Sequence, residues 1–292
     1  MATLEEYKSG AEIQWCPGCP NHLILKAVKS ALVDLDLSPH EVCLVSGIGQ
    51  AAKLPHYLEC NFFNGLHGRA LPVALGILAA NPRLTTLVTT GEGDCYGEGG
   101  NHFIHTLRRN PNLTLIVHNN SFYALTKGQA SPTTPLGEIR SLHPKGVPMP
   151  PLKVLEIAVI QGCGFVARGF AGDPEQLRGL IAEGVRHRGL SLIDVIQPCI
   201  TWGKKPLDWY REKAVPLPAG YDSSDRFGAL RAIGENERFY TGVLYRSPQK
   251  PVFGEAFHRL MNNVPLTGLE PPDEKTLREV LAPFCKRPPG SV

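Results

Sequence analysis

The segment Thr85-Thr86-Leu87-Val88-Thr89-Thr90-Gly91-Glu92-Gly93-Asp94 decides how this chain is read. An apolar, β-branched run that empties into alternating glycine and carboxylate is a buried strand delivering a loop. A helix is expected over residues 101–109 and a second buried strand over LTLIVHNN, 113–120. Twenty-five residues lie between Gly93 and Asn119. That is room for a strand end, a crossover helix and a returning parallel strand, so the two strand ends stand side by side. A carboxylate from the first loop and an amide oxygen from the second then suit one Mg²⁺, a hard cation completed by phosphate oxygens. The glycines let backbone N–H groups close on a diphosphate.

Outward from this pair, the same alternation continues. Residues 21–35 read as a helix capped by Asn21, with Leu23, Ile24, Val28, Leu32 and Leu35 on one face. CLVSGIGQ (43–50) reads as a strand ending in a glycine loop, and 68–80 as a helix closed by Asn81-Pro82. Residues 121–152 are rich in Pro, Gly, Ser and Thr and form a long loop, a length that usually serves function. Helix is expected near 152–160 and over 174–188, strand near 165–170 and over 191–199. The fold class is therefore α/β, a parallel sheet with helices on both faces, whose ligands sit at the carboxyl ends of the strands. Past Thr201 the pattern weakens into a Pro-rich tail with one short helix near 274–281. The expected division is residues 1–200 as the cofactor-binding domain and 201–292 as an extension packing on it or on a partner subunit.

Composition narrows the classes of function. Thirty Lys and Arg against 27 Asp and Glu leave +3 over 292 residues, which argues against a polyanion-binding surface, so no nucleic acid is expected. No run approaches the roughly 18 apolar residues of a membrane span, and MATLEEYKSG lacks the apolar core of a signal peptide. A cytoplasmic protein that does not engage a membrane is the expectation. Eight cysteines in such a chain suggest metal or redox use rather than a disulfide framework. Cys16-Pro17-Gly18-Cys19 places two thiols on one turn, as zinc sites and redox pairs also do, and Cys199 ends the strand DVIQPC.

Gly91-Glu92-Gly93-Asp94 followed by Asn119-Asn120 resembles the thiamine diphosphate signature, with Glu92 where that signature has Asp. Taken with WCPGC, the SGIG loop, LHGRALPVALG, GGNHFIHTLRRN, YALTKGQASPTT and DVIQPC, in that order, the chain resembles the β subunits of 2-oxoacid:ferredoxin oxidoreductases over about residues 12–205. The resemblance implies the thiamine diphosphate-binding fold, thiamine diphosphate with Mg²⁺, and one [4Fe–4S] cluster. It also implies CoA-dependent, reversible oxidative decarboxylation of a 2-oxoacid, with electrons passing to ferredoxin. An α subunit would complete the site, in a heterodimer or a dimer of heterodimers.

Carried over residue by residue, Cys16, Cys19 and Cys199 match cluster ligands. The fourth normally follows Gly-Ile-Gly, where this chain has Gln50. Cys60 is the leading substitute, with Cys43 and Cys95 behind it; a non-thiolate ligand or a missing cluster are the alternatives, and Cys163 and Cys285 read as packing thiols. Ile48, Gly49, Gln50 and Ala51 match the first diphosphate loop. Glu92, Asn120 and the carbonyl of Phe122 match Mg²⁺ ligands, with Gly91, Gly93 and Asp94 as neighbouring contacts. Ala124, Leu125, Thr126, Lys127, Gly128 and Gln129 match a loop around the cofactor, and His67 suits an anion at a helix start. Lys53 and Lys127 match lysines associated with 2-oxoacid carboxylates; two of them favour a dicarboxylic substrate such as 2-oxoglutarate, with pyruvate the alternative. A non-oxidative thiamine enzyme has no use for the Cys-x-x-Cys turn, and a non-catalytic iron–sulfur or zinc carrier leaves the Asn-Asn pair unexplained.

Overall fold

Strand ends decide where this protein can bind anything, and its main sheet sends most of them to one edge. The computed structural model describes residues 1–235 and 237–285. Its strands are β1 (Val42–Ser46), β2 (Asn61–Asn64), β3 (Thr85–Gly91), β4 (Leu113–Asn119), the short pair β5 (Phe122–Tyr123) and β6 (Gln129–Ala130), β7 (Phe165–Phe170), β8 (Ser191–Ile196), β9 (Ala214–Pro216) and β10 (Phe239–Arg246). The order in the sheet is β2-β1-β3-β4-β8-β7-β10-β9. β1, β2, β3, β4, β7 and β8 run parallel, so their carboxyl ends share one edge.

Side chains alternate across the sheet, as strand geometry requires. Cys43, Val45, Leu115, Val117, Val166 and Leu192 pack on one face with α2 (Ala70–Ala80), α3 (Gly100–Arg109) and α4 (Val154–Ile160). Val42, Leu44, Ile116, Ala167, Ile193 and Val195 pack on the other with α1 (Asn21–Asp34) and α5 (Pro174–Arg186). The layered α/β architecture is as expected. Helix α5 starts where its sequence says: Asp173 accepts from the backbone of Gln176 and Pro174 fills the first turn. Helix α1 does not. Pro20 takes the cap position and Asn21 is buried inside the first turn, because its side chain is used in the binding site.

The region past Thr201 holds more than the single short helix expected there. It forms α6 (Leu207–Lys213), α7 (Arg226–Ile233), α8 (Glu255–Leu260) and α9 (Glu274–Leu281), and it adds two strands to the main sheet. β10 pairs antiparallel with β7, so the sheet is mostly rather than wholly parallel. Ala229, Ile233, Leu244 and Tyr245 from this region lie in the same core cluster as β1 and β4. Among the described residues no helix is long and apolar enough to cross a membrane.

Candidate active site at the carboxyl ends of the strands

Four parallel strands deliver the site. β1 ends in Gly47-Ile48-Gly49-Gln50, β3 in Glu92-Gly93-Asp94, β4 in Asn120, and β8 in Gln197. Together with His67, Asn21 and His118 these loops enclose a cavity of about 110 Å³. Complete small-molecule pockets measure about 300–1,000 Å³, so this cavity is small for a whole cofactor. Ile48, Gly49, Gln50, Ala51, Gly91, Glu92, Gly93, Asp94, Asn120 and Phe122 all line it, as do Ala124, Leu125 and Thr126. Gly93 is required by close approach: a Cβ there would stand 2.4 Å from the Tyr123 ring.

Glu92 and Asp94 divide their duties. Asp94 is tied into the fold: Oδ1 accepts from the backbone N–H of Gly68 and lies 2.7 Å from Nδ1 of His67, and Oδ2 accepts from the Thr90 hydroxyl at 2.6 Å. It holds the β3 loop on the loop that starts α2. Glu92 is the opposite. It is 1 % exposed, and its Oε1 is buried without a hydrogen-bond partner. Burial pushes its carboxyl up to about 7, against the backbone N–H groups of Glu92 and Asn120 and the nearby Ser131 hydroxyl. An orphaned carboxylate is costly unless a cation or proton meets it. Asn120 accepts from Phe122 N at 3.0 Å through the oxygen that would face such a cation. The donor set of Glu92, Asn120 and the Phe122 carbonyl is all oxygen, which fits Mg²⁺.

Several residues of this wall carry no signal in the sequence beyond being lone polar groups in apolar strands. His118 is buried, and burial drops its imidazole to about 3, so the ring is neutral. Its Nδ1–H donates to Asn21 and its Nε2 accepts from Thr89. Asp194, in the middle of β8, accepts from Tyr96 at 2.8 Å and from Asn119; burial raises its carboxyl. It lines a larger cavity of about 510 Å³ behind the Asn119-Asn120 turn, with Arg168 and Tyr210. The glycine loops after β1 and β3 and the orphaned carboxylate of Glu92 both belong to the smaller cavity.

Neither Lys53 nor Lys127 lines the cavity. Lys53 donates to the carbonyl of Gln14 at 3.4 Å, and Lys127 is exposed with φ +80°, where the chain turns outward. Gly128 and Gln129 follow it away from the wall, Gly128 against Trp202 and Gln129 accepting from Thr126.

The thiols separate likewise. Gly18, at φ +76°, closes the Cys16–Cys19 turn, and Cys19 N donates to Cys16 O. All three matched sulfurs meet the segment after β8: Cys16 pairs with the Thr201 hydroxyl, Cys19 accepts from Gln197, and Cys199 accepts from Trp202 N. Burial raises the Cys19 thiol, and its neighbours Cys16 and Cys199 raise it further. Among the described residues no three His, Cys, Asp or Glu side chains are arranged to hold a metal ion. An iron–sulfur cluster takes each thiolate on a different iron, so its ligands need not converge on one point.

Cys60 is not among these thiols. It precedes β2, whose Asn61 pairs with Cys43 at the start of β1, so it lies at the amino edge of the sheet. The length of β1, at roughly 3.3 Å per residue, lies between that edge and the site. Cys60 neighbours Cys43 and Tyr7, and burial pushes its thiol up to about 12. Cys43, Cys95 and Cys163 are buried, whereas Cys285 is exposed and is no packing thiol. At the fourth place Gln50 remains. Its carbonyl accepts from the Trp15 indole at 2.8 Å, beside Cys16, and its Oε1 is buried with no partner.

Comparison with known proteins agrees with this geometry. A family described as thiamine pyrophosphate enzyme, C-terminal TPP binding domain, matches residues 45–195. A second family, described as the C terminal of the pyruvate ferredoxin oxidoreductase beta subunit, matches residues 199–262. The chain is 36 % identical over 273 residues to 2-oxoacid:ferredoxin oxidoreductase 2, subunit beta, of Aeropyrum pernix, covering 88 % of this chain and 87 % of that one. It is 46 % identical over 248 residues to the corresponding beta subunit of Saccharolobus solfataricus, covering 80 % and 81 %. With the 2-oxoglutarate synthase subunit KorB of Methanocaldococcus jannaschii it shares 33 % identity, over 86 % and 93 %. A solved structure, the 2-oxoglutarate:ferredoxin oxidoreductase from Magnetococcus marinus with 2-oxoglutarate, coenzyme A and succinyl-CoA bound, superposes with a TM-score of 0.88. It shares 30 % identity over 98 % of this chain and 97 % of that one.

Proposed function

The chain belongs to the β subunits of the 2-oxoacid:ferredoxin oxidoreductases, and from that premise we propose that it supplies the metal–diphosphate half of a thiamine diphosphate site for CoA-dependent oxidative decarboxylation. 2-Oxoglutarate is the favoured substrate, in keeping with the relatives and the solved structure named for it. The observation that carries the reading is the orphaned carboxylate of Glu92 beside Asn120 at adjoining parallel strand ends. Glu92, Asn120 and the Phe122 carbonyl would hold Mg²⁺, and the loops 47–51 and 91–94 would close backbone on the diphosphate. When bound, thiamine diphosphate supplies the electron sink that carbon–carbon cleavage beside a ketone needs. His67, held beside Asp94, places its ring at the cavity.

Cys16, Cys19 and Cys199 are the thiolates for an iron–sulfur cluster that takes electrons one at a time towards ferredoxin. The buried, partnerless oxygen of Gln50 is the reading for the fourth place. An α subunit would complete the cavity. The small size of the cavity supports this, and so does Leu125, exposed on its lining; Phe62 and Phe63 are exposed on β2, which edges the sheet. The same machinery would also run as reductive carboxylation.

The test is co-purification with the α partner, followed by dye reduction with 2-oxoglutarate or pyruvate, with and without CoA. Activity requiring both subunits, CoA and thiamine diphosphate is expected, faster with 2-oxoglutarate. Turnover by the β chain alone, or turnover indifferent to thiamine diphosphate, overturns the reading.

A further inference from the structure

Gln197 is 2 % exposed and touches two groups that the proposed function assigns to different centres. Asn120 Nδ2 donates to Gln197 Oε1 across 3.0 Å, and Gln197 Nε2 donates to Cys19 Sγ across 3.7 Å. The backbone imposes this. β4 and β8 are parallel neighbours with Asn119 opposite Ile196, and Gln197 N donates to Asn119 O at 2.9 Å. Asn120 and Gln197 are thus the first residues beyond adjacent strands. An amide has one accepting and one donating end. With its oxygen taken by Asn120, Gln197 has only its N–H₂ to offer the sulfur. The other two sulfurs meet the Thr201 hydroxyl and Trp202 N.

Resting on the reading above, we propose that Gln197 is a positioning residue that couples occupancy of the metal–diphosphate site to the redox potential at Cys19. A cation on the Asn120 oxygen draws electron density from that amide and makes its N–H a stronger donor to Gln197. The polarised Gln197 amide then donates more strongly to Cys19, since chains of hydrogen bonds strengthen one another. Hydrogen bonds to the sulfurs are among the determinants of cluster potential. A stronger one favours the electron-rich reduced form, so filling the cofactor site raises the potential. By linkage, reduction tightens binding of the metal and diphosphate by the same factor. No covalent bond forms or breaks in this coupling.

The experiment is an anaerobic redox titration, read by EPR, of the complex with its α partner, with and without thiamine diphosphate and Mg²⁺. In the wild type, cofactor should raise the midpoint by an amount equal to about a threefold to tenfold change in the one-electron equilibrium, about 30–59 mV. Gln197→Leu should lose most of that shift. Gln197→Glu keeps an acceptor for Asn120 but turns an oxygen towards Cys19, so its midpoint should fall in the complex without cofactor. An equal cofactor-dependent shift in wild type and Gln197→Leu overturns the inference, as does no shift in the wild type. Should the leucine variant fail to assemble, a Gln197→Glu midpoint equal to wild type overturns it. A wild-type complex that binds thiamine diphosphate but holds no iron overturns the cluster reading and this inference with it; iron analysis separates that outcome from the others.

Discussion

Nδ1 of His67 lies 2.7 Å from Oδ1 of Asp94, a partly exposed ring against a carboxylate that is almost wholly buried. The same carboxylate accepts from Gly68 N and Thr90, so one side chain ties β3 to the start of α2.

Asp94→Asn replaces one accepting oxygen by a donor that faces donors. The loss expected is about 2–3 kcal/mol for hydrogen bonds to a charged group, seen as a fall of about 3–5 °C in the thermal midpoint. Thiamine diphosphate should bind about tenfold more weakly as the His67 loop loosens, a factor worth about 1.4 kcal/mol. A midpoint and an affinity both unchanged would show that the pair holds nothing in place.

Glu92 predicts a pH dependence with a definite sign. Burial raises its folded pKa to about 7, above the ordinary carboxylate value. Between those two values the folded chain binds more protons than the unfolded one. Stability of the cofactor-free protein therefore falls as pH rises through that window. Mg²⁺ must displace the proton, so its affinity should rise with pH below 7, approaching tenfold per unit. In Glu92→Gln both trends should flatten. Calorimetric unfolding and Mg²⁺-dependent cofactor binding at several pH values measure this, and slopes identical in the two proteins would remove Glu92 from the metal site.

Cys16→Ala, Cys19→Ala and Cys199→Ala should each abolish or sharply reduce iron in the anaerobically purified complex. Cys60→Ala should leave iron unchanged, because that thiol lies at the other edge of the sheet, and should cost about 1 kcal/mol as a small truncation. Iron and sulfide analysis of the four variants decides the matter. Loss of iron in Cys60→Ala would return it to the ligand set.

Leu244, fully buried on β10, tests the region past residue 200. Leu244→Ala should destabilise the whole protein by about 2–5 kcal/mol. A chain ending near residue 205 should not fold, because β7 would expose an unpaired edge and the core would lose Ala229, Ile233, Leu244 and Tyr245. Denaturant unfolding of the substitution and limited proteolysis of the truncation supply the readouts; a stable, monomeric truncation would contradict this account.

What the sequence by itself determined is local in origin. Apolar runs such as 85–91 and 113–119 become strands wherever the chain can bury them, and a glycine–carboxylate turn at a strand end reports its role without its neighbours. That is why the Glu92–Asn120 half-site and the Cys16–Cys19 turn were legible. The tertiary structure alone decided which distant groups meet. Gln197 and Asn120 are 77 positions apart, and their contact exists because β8 lies beside β4. His118 and Asn21 meet for the same kind of reason, at the end of the sheet where α1 begins. Cys60 is close to Gln50 along the chain, yet Ala51–Tyr57 carries the backbone to the opposite edge before β2 begins in parallel. The tail was illegible because Phe239–Arg246 mixes aromatic, glycine and polar residues, a pattern that becomes a strand only against the open edge of β7. Strand pairing across long sequence separation is a property of the sheet, and no window of the chain contains it.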